Sequence, residues 1–138
     1  MPEAQNRHLK STVEQGVLVL TITETELQDE KLADSLLWEL LAQVAHHKLN
    51  KVVLDLHNIK YVSSVAFRPF LSLRRKLQEM DSTSRLILCG LSSMVGDVFY
   101  TTRLISRAGS FDAPFEMAAD VAAALARFGR DFQPIVRE

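Results

Sequence analysis

The sequence predicts a single α/β domain with a mixed, mostly parallel sheet of about five strands and about four helices. A hairpin pattern opens the chain. Short β-branched runs then alternate with segments of helical period, which is typical of a sheet with crossover helices. At 138 residues the chain is long enough for one hydrophobic core without disulfide or metal support. We expect one domain over residues 1–138, with its core at about 9–128 and a less ordered tail at 129–138.

The first third of the chain combines a hairpin with a long helix. Alternating valines over residues 9–23 predict two strands, and Gln15-Gly16 between them predicts a tight turn. After an acidic, threonine-rich segment, apolar residues recur with a helical period over residues 29–47. We therefore predict an amphipathic helix there. Its apolar face comprises Leu32, Leu36, Leu37, Leu40, Leu41 and Val44.

The middle of the chain reads as a buried strand, a turn and a second helix. Residues 51–56 are Lys-Val-Val-Leu-Asp-Leu, which is typical of a central strand covered on both faces. Apolar residues at helical spacing then predict a helix whose core face comprises Ala66, Phe70, Leu73, Leu77 and Met80. If Ser64 caps this helix, Pro69 lies past the first turn and removes one hydrogen bond. The helix is then expected to start later, or to kink.

The last part of the chain predicts one more buried strand and two helices. Residues 85–89, Arg-Leu-Ile-Leu-Cys, form the strand, which ends at Gly90. Ser92 or Ser93 can cap a third helix, with Met94, Val95, Val98 and Phe99 on its apolar side. A short strand is predicted near Ser110 and Phe111, and Asp112 and Pro114 are expected to start the last helix. That helix is expected to bear Met117, Val121, Leu125 and Phe128.

Composition disfavours several classes of function. Sixteen Lys and Arg nearly balance seventeen Asp and Glu, so the net charge of -1 gives no general attraction to nucleic acid or anionic lipid. Cys89 is the single cysteine, which precludes an intrachain disulfide or a cysteine zinc cage and favours a reducing cytoplasm. The chain start lacks an apolar signal core, and no apolar run approaches the roughly 20 residues of a membrane span. We expect a cytoplasmic protein without nucleic-acid binding or membrane insertion.

One segment carries a resemblance to a known family. Residues 59–67 read Ile-Lys-Tyr-Val-Ser-Ser-Val-Ala-Phe and follow Val-Val-Leu-Asp-Leu-His-Asn. With this turn, the order of elements resembles the STAS domain family, in particular its anti-sigma factor antagonists. The likeness covers nearly the whole chain, and it implies a STAS-like fold. It also implies a protein that binds a partner-switching serine kinase or anti-sigma factor and thereby frees a sigma factor. Phosphorylation of the protein then reverses this binding.

The resemblance also assigns roles to the residues of the turn. The family's turn usually reads Asp-Ser-Ser-Gly, with the first serine phosphorylated by the partner kinase. In this chain Ser63, Ser64, Val65 and Ala66 stand at those four positions, so only Ser64 matches. Ser64 is thus implied as the phosphoacceptor, with Ser63 as the second candidate. The residues expected to bind the partner are Val62, Ser63, Ser64, Val65, Phe67 and Arg68.

Physical chemistry supports a phosphate at this turn. A serine near a helix start can accept a hydrogen bond from a free backbone amide, and a phosphate there meets unpaired N–H groups and the positive end of the helix dipole. The same charge on a surface docked against apolar or acidic groups opposes binding. The simpler interpretation, in which both serines only cap a helix and form a turn, stays open.

Enzymatic interpretations have less support. A hydrolase nucleophile elbow needs glycines beside its serine, and this turn has none. The histidines offer Ser64 no evident base and show no metal-ligand spacing; they are His8, His46, His47 and His57. No phosphate-binding glycine motif occurs. We therefore expect no catalytic residue, no metal and no cofactor, and a protein that is not an enzyme.

Two other functions stay open beside the anti-sigma factor antagonist. The chain can be a structural subunit of a larger signalling assembly without a reversible switch. Its partners can then include further copies of itself, as a homo-oligomer, or the other members of a larger assembly. It can also be a small cytoplasmic STAS subunit of a transport system. Among the remaining residues, Trp38 and Tyr61 are expected to pack at the edge of the core and Cys89 inside it. Asp55 is expected to be a hydrogen-bonding residue at the end of its strand.

Overall fold

The structure is a computed structural model that describes residues 8–63, 65, 67–101 and 115–132. The strands in this part of the chain are Leu9–Glu14 (β1), Val17–Ile22 (β2), Glu26–Leu27 (β3), Lys51–Asp55 (β4), Tyr61–Val62 (β5), Arg85–Cys89 (β6) and Glu116–Ala118 (β7). The helices are Glu30–His47 (α1), Phe67–Met80 (α2), Ser93–Thr101 (α3) and Val121–Phe132 (α4).

The main sheet has five strands in the order β1-β2-β4-β6-β7. β1 and β2 form an antiparallel hairpin, whereas β2–β4, β4–β6 and β6–β7 are all parallel pairs. Helices connect the parallel strands, because neighbouring parallel strands need a long crossover. This arrangement confirms the predicted α/β fold with a mixed, mostly parallel sheet. A second, two-stranded sheet pairs β3 with β5 in parallel.

The hairpin turn lies at the predicted dipeptide. Gln15 has φ 57° and Gly16 has φ 78°, so both central residues are in the left-handed region. Two positive φ values in a two-residue loop define a type I′ turn, whose twist matches that of the two flanking strands. Glycine adopts this conformation at little cost, and Gln15 is the strained member of the pair.

The sheet is covered on both faces, as the near-continuous apolar strands predict. One face packs under α1, α2 and α3, with Leu20, Leu54 and Leu88 as central side chains. The other face packs under α4, where Val19, Val53, Ile87 and Phe128 meet. Successive residues of β2, β4 and β6 alternate between these two cores, because side chains alternate along a strand.

Several aromatic and methionine side chains lie further out than the sequence suggested. Met80 and Met94 were predicted on core faces, and Trp38 and Tyr61 at the edge of the core, but all four are exposed. The exposed fraction reaches 74% for Trp38 and 48% for Tyr61. For Met80 and Met94, helical periodicity finds the centre of an apolar face but does not give its width, so these marginal residues were misplaced.

The helix boundaries differ from the prediction at two places. α2 starts at Phe67, so Pro69 is its third residue and lies in the first turn, where a backbone N–H has no helical partner. The later start that Pro69 suggested is therefore correct. Met117 lies on β7 opposite Leu88, and not on the last helix. α4 begins at Val121 instead, after Asp120 accepts a hydrogen bond from the Ala123 N–H at 2.9 Å.

Some predicted features lie outside the described residues. These are the strand near Ser110 and Phe111 and the helix start at Asp112 and Pro114. Of the predicted tail, residues 129–132 continue α4, and the remaining positions lie outside the described residues. None of the helices in the described ranges combines the length and apolar character that a bilayer crossing needs.

Candidate functional site

The turn that carries the serines lies between β5 and the start of α2. β5 pairs in parallel with β3, with Tyr61 opposite Glu26 and Val62 opposite Leu27. The ladder continues for one more residue, because the Ser63 N–H donates to the Leu27 carbonyl at 3.0 Å. The turn is therefore held by a small sheet of its own, beside the main one. Residues 62–68 are called the serine-turn surface below.

The loop that leads from β4 into this turn is fixed by a second set of hydrogen bonds. The buried Asp55 carboxylate accepts from the His57 N–H at 3.1 Å, and its other oxygen lies 2.9 Å from His57 Nδ1. The Asn58 side-chain amide donates to the Ile22 carbonyl at 3.0 Å. Asp55 therefore has the predicted role of a hydrogen-bonding residue at a strand end, and it shapes the approach to the serine turn.

Gly90 completes this loop from the neighbouring strand. Its φ is 75°, and a Cβ there would lie 2.8 Å from Asp55 Oδ1 and 2.9 Å from the His57 Cβ. Both the backbone conformation and the close approach require glycine. Gly90 thus ends the strand, as predicted, and its lack of a side chain also leaves room for the Asp55–His57 pair.

The serine-turn surface combines outward and inward residues. Val62, Ser63 and Val65 are half-buried, and Arg68 is exposed. Phe67 points inward: its ring packs edge to face against Phe99 with centroids 4.9 Å apart. Phe67 was predicted among the partner-binding residues; its buried side chain supports that surface from below, and its contact with a partner stays a prediction.

The structure describes only one of the two serines of the turn. Ser64 and Ala66 lie outside the described residues, so the predicted phosphoacceptor position has no structural description. Ser63 Oγ is buried and has no hydrogen-bond partner. A buried hydroxyl without a partner loses its hydration without compensation, which is destabilising. Such a hydroxyl is also shielded from a kinase, which makes Ser63 the less suitable acceptor.

Arg68 ties the start of α2 to the start of α1. Its Nη2 donates to Asp34 Oδ1 at 3.3 Å, and its Nη1 lies 3.8 Å from Glu30 Oε2. All three side chains are largely exposed, so the ion pairs contribute orientation more than stability. One helical turn after Asp34 stands the exposed Trp38, which places a large aromatic side chain beside this ion-pair group.

Sequence reasoning missed Trp38 as a candidate. The available signal was its position in the helix: the buried residues Leu36, Leu40 and Val44 define the core face, and position 38 lies well away from it. The expectation that a tryptophan would pack at the edge of the core outweighed that signal. An exposed tryptophan is among the commonest energetic centres of protein–protein interfaces.

The remaining candidates have structural roles. Cys89 is buried in β6, and desolvation raises the pKa of its thiol to about 12, so it is a core residue as predicted. His46 and His47 end α1, and burial together with the neighbouring His46 lowers the pKa of His47. The described residues contain no group of three His, Cys, Asp or Glu side chains that could share a metal ion.

Comparisons with known proteins agree on the fold. An anti-sigma factor antagonist from Mycobacterium paratuberculosis superposes with a TM-score of 0.71 at 19% identity, over 86% of this chain and 91% of that one. A variant of RsbS from Moorella thermoacetica gives 0.67 at 16% identity, over 90% and 97%. A chain of the stressosome, described as a signal integration and transduction hub, gives 0.61 at 16%, over 88% and 96%. At such identities the likeness concerns the fold alone.

The sequence itself identifies the family. A search of curated protein sequences found no match. A sequence model of the STAS domain, however, matches residues 8–124, which is most of the chain and runs from the last residue before β1 into α4. The chain belongs to the STAS domain family.

Proposed function

We propose that this chain is a signalling protein of the anti-sigma factor antagonist type, which binds a serine kinase or anti-sigma factor through its serine-turn surface. It does no chemistry itself; the kinase modifies it. Membership of the STAS family supports the general role, and the likeness to anti-sigma factor antagonists supports the class of partner. A bacterial cytoplasm and a role in transcription regulation are parts of the same proposal.

The observation that carries the proposal is the start of α2. Its first turn contains no acidic residue, and the charged residue there is the basic Arg68. The turn before it is nevertheless held in place by the β3–β5 ladder and by the Asp55–His57 loop. A helix start favours an anion through the positive end of its dipole, so a firmly held helix start next to a serine is well suited to a regulated contact.

Phosphorylation at Ser64 would act on the partner more than on the fold. A phosphoserine carries about -1.5 to -2 charge at pH 7 and meets the positive end of a helix dipole. Arg68, four residues further on, adds a cation that Asp34 and Glu30 already orient. The domain itself therefore tolerates the phosphate. A partner seated on the surface would have to desolvate it, so the complex weakens.

The exposed aromatics extend this surface. Tyr61 precedes the turn, and Trp38 stands beside the Arg68 ion pairs on α1. Tyrosine, tryptophan and arginine are the residue types that most often dominate binding energy at interfaces. We infer that the partner contacts the start of α2 and the neighbouring face of α1 together.

The test compares Ser64→Asp and Ser64→Ala with the wild type in affinity capture from cells, followed by titration of the recovered partner. We expect Ser64→Asp to weaken partner binding about tenfold or more while the unfolding midpoint is unchanged. Ser63→Ala is the matched control, because its Oγ is buried and donates to no partner. Mass spectrometry after incubation with the captured kinase should place the phosphate on Ser64. Equal binding by all variants, or no phosphate on Ser64 and Ser63, would contradict the switch.

The stressosome likeness favours a second candidate, a structural subunit of a larger signalling assembly. Light scattering coupled to size-exclusion chromatography distinguishes the two functions. A switch protein changes its complex when Ser64 becomes aspartate. A structural subunit elutes in a large complex that the substitution leaves intact.

A further inference from the structure

β1 is an edge of the main sheet. It pairs with β2 on one side, and no other strand in the described ranges pairs with its outer side. An open edge is a template for a further strand, so proteins either block it or use it. What β1 offers to a partner follows from the hairpin geometry.

The hairpin determines which backbone groups point outward. Next to a two-residue turn, the flanking residues exchange both hydrogen bonds, and this pairing alternates along the ladder. Glu14 and Val17 flank the turn, so Lys10, Thr12 and Glu14 direct their backbone groups toward β2. The Thr23 N–H donates to the His8 carbonyl at 2.9 Å, so His8 continues this series of every second residue bonded toward β2. The N–H and C=O groups of Leu9, Ser11 and Val13 therefore face outward.

The side chains of β1, unlike its backbone groups, point alternately to the two faces of the sheet. Lys10, Thr12 and Glu14 are exposed and stand on the face where α4 covers only the inner strands. Ser11 stands on the other face, where its Oγ donates to Gln43 of α1 at 2.8 Å. Val13 is exposed on that face, at the end of the strand. The edge thus carries a cation and an anion four residues apart, with a threonine midway between them.

We propose that β1 pairs antiparallel with β1 of a second copy of this chain, about a two-fold axis through Thr12. In that register Ser11 and Val13 form hydrogen-bonded pairs with Val13 and Ser11 of the second copy. All of these groups face outward, so the backbone requirement is met. On the exposed face, Lys10 then stands opposite Glu14 of the second copy, Glu14 opposite Lys10, and Thr12 opposite Thr12.

The charges of Lys10 and Glu14 favour this register over the two adjacent pairing registers. Moving the axis to Ser11 places Lys10 opposite Thr12 and Glu14 opposite His8, and moving it to Val13 places Glu14 opposite Thr12. Both neighbours satisfy the backbone, but neither opposes Lys10 to Glu14. Cross-strand pairs of opposite charge are favourable, and like charges directly opposite each other are unfavourable. The edge is therefore complementary to itself in one register.

The dimer joins two five-stranded sheets into one of ten, which is within the range of open sheets. It is an isologous contact, so it closes at two copies. The pairing is short, so we expect an association that depends visibly on protein concentration.

Charge reversal tests the register by sedimentation velocity over a series of concentrations. Glu14→Lys sets two lysine pairs opposite each other, and Lys10→Glu sets two glutamate pairs. Each single reversal is expected to weaken dimerisation about tenfold. The double variant Lys10→Glu/Glu14→Lys restores both opposite-charge pairs and is expected to dimerise like the wild type. A wild type that remains monomeric, or a dimer indifferent to the single reversals, overturns the proposal.

A cysteine at the axis gives an independent test. Residues directly opposite in a non-hydrogen-bonded antiparallel pair have Cα atoms about 4.5 Å apart, within the range that a disulfide spans. Thr12→Cys is therefore expected to form a disulfide dimer with oxidised glutathione. Lys10→Cys is the matched control, because its copies lie four residues out of register, about 13 Å apart along the strand. Chains with Lys10→Cys and Glu14→Cys should cross-link only when mixed.

The native thiol does not interfere with this test. Cys89 is the single cysteine of the chain, and it is buried with a thiol pKa raised to about 12. Equal cross-linking of Thr12→Cys and Lys10→Cys would show random collision and overturn the register. Absence of cross-linking by Thr12→Cys, at a concentration where the wild type sediments as a dimer, would place the contact elsewhere and overturn it as well.

Discussion

The starts of α1 and α2 differ, although the two helices pack against each other beside the sheet. At α1, Asp29 accepts a hydrogen bond from the Leu32 N–H at 3.1 Å, and Glu30 adds a carboxylate in the first turn. At α2, the charged residue of the first turn is the basic Arg68, and the positions just before the helix, Ser64 and Ala66, lie outside the described residues. The described start of α1 is thus acidic and capped, whereas the described first turn of α2 is basic.

The two starts are stabilised by different described contacts. The cap at α1 contributes about 1 kcal/mol of stability. The described contacts that hold α2 are apolar: Phe67, Phe70, Leu73 and Leu77 are all buried. The comparison can therefore be tested by removing the contacts that hold each helix.

The largest effect is expected for Phe70→Ala. Phe70 has no exposed surface, and its ring stacks near Phe99 with centroids 6.3 Å apart. Truncation leaves a cavity under α2 and should lower the free energy of unfolding by about 3–5 kcal/mol, measured by urea denaturation. The partly exposed Leu71, next in the same helix, is the control, and its truncation should cost far less. Equal losses at both positions would mean that the apolar face does not hold α2.

An intermediate effect is expected for Asp29→Ala. Removing the cap leaves the Leu32 N–H without its side-chain partner and should cost about 1 kcal/mol in the same assay. Ser35→Ala is the control, since Ser35 is exposed in the same helix and caps nothing. If Asp29→Ala does not change the free energy of unfolding, the cap at α1 is a structural feature that adds no stability.

The smallest effect is expected for Arg68→Ala. Its ion pairs to Asp34 and Glu30 are exposed, so we expect a loss of about 0.5 kcal/mol or less, and less again in high salt. A double-mutant cycle with Asp34→Ala measures the pair itself. A coupling above about 1 kcal/mol would show that the two helix starts are joined more strongly than exposed charges allow.

The sequence predicted the architecture because its signals there are local and repeated. Leu36, Leu40 and Val44 recur at helical spacing, and the strands that contain Leu54 and Leu88 are short continuous apolar runs. β3 and β5 were not predicted, since two-residue strands exist only through their pairing with each other. Met117 was misassigned for the same reason: its helix-forming neighbours are overridden by pairing with β6.

The site was predicted less completely than the fold. The serine turn was found from its resemblance to a family, and the structure adds that Ser63 Oγ is buried and that Phe67 faces the core. Neither follows from local pattern, because both depend on what α3 and the β3–β5 ladder bring to the turn. The partner-binding role of Val62, Ser63, Ser64, Val65, Phe67 and Arg68 stays a prediction. The space that Gly90 leaves for the Asp55 carboxylate likewise needed three dimensions to appear.

Trp38 is the single tryptophan of the chain, and 74% of its surface is open to solvent in the folded state. Its fluorescence should therefore change little in wavelength when the chain unfolds, so thermal scans read at this emission would understate the transition. A partner that covers α1 would instead shift the emission to the blue without any added label. Trp38 fluorescence is therefore a poor probe of unfolding but a direct probe of partner binding at α1.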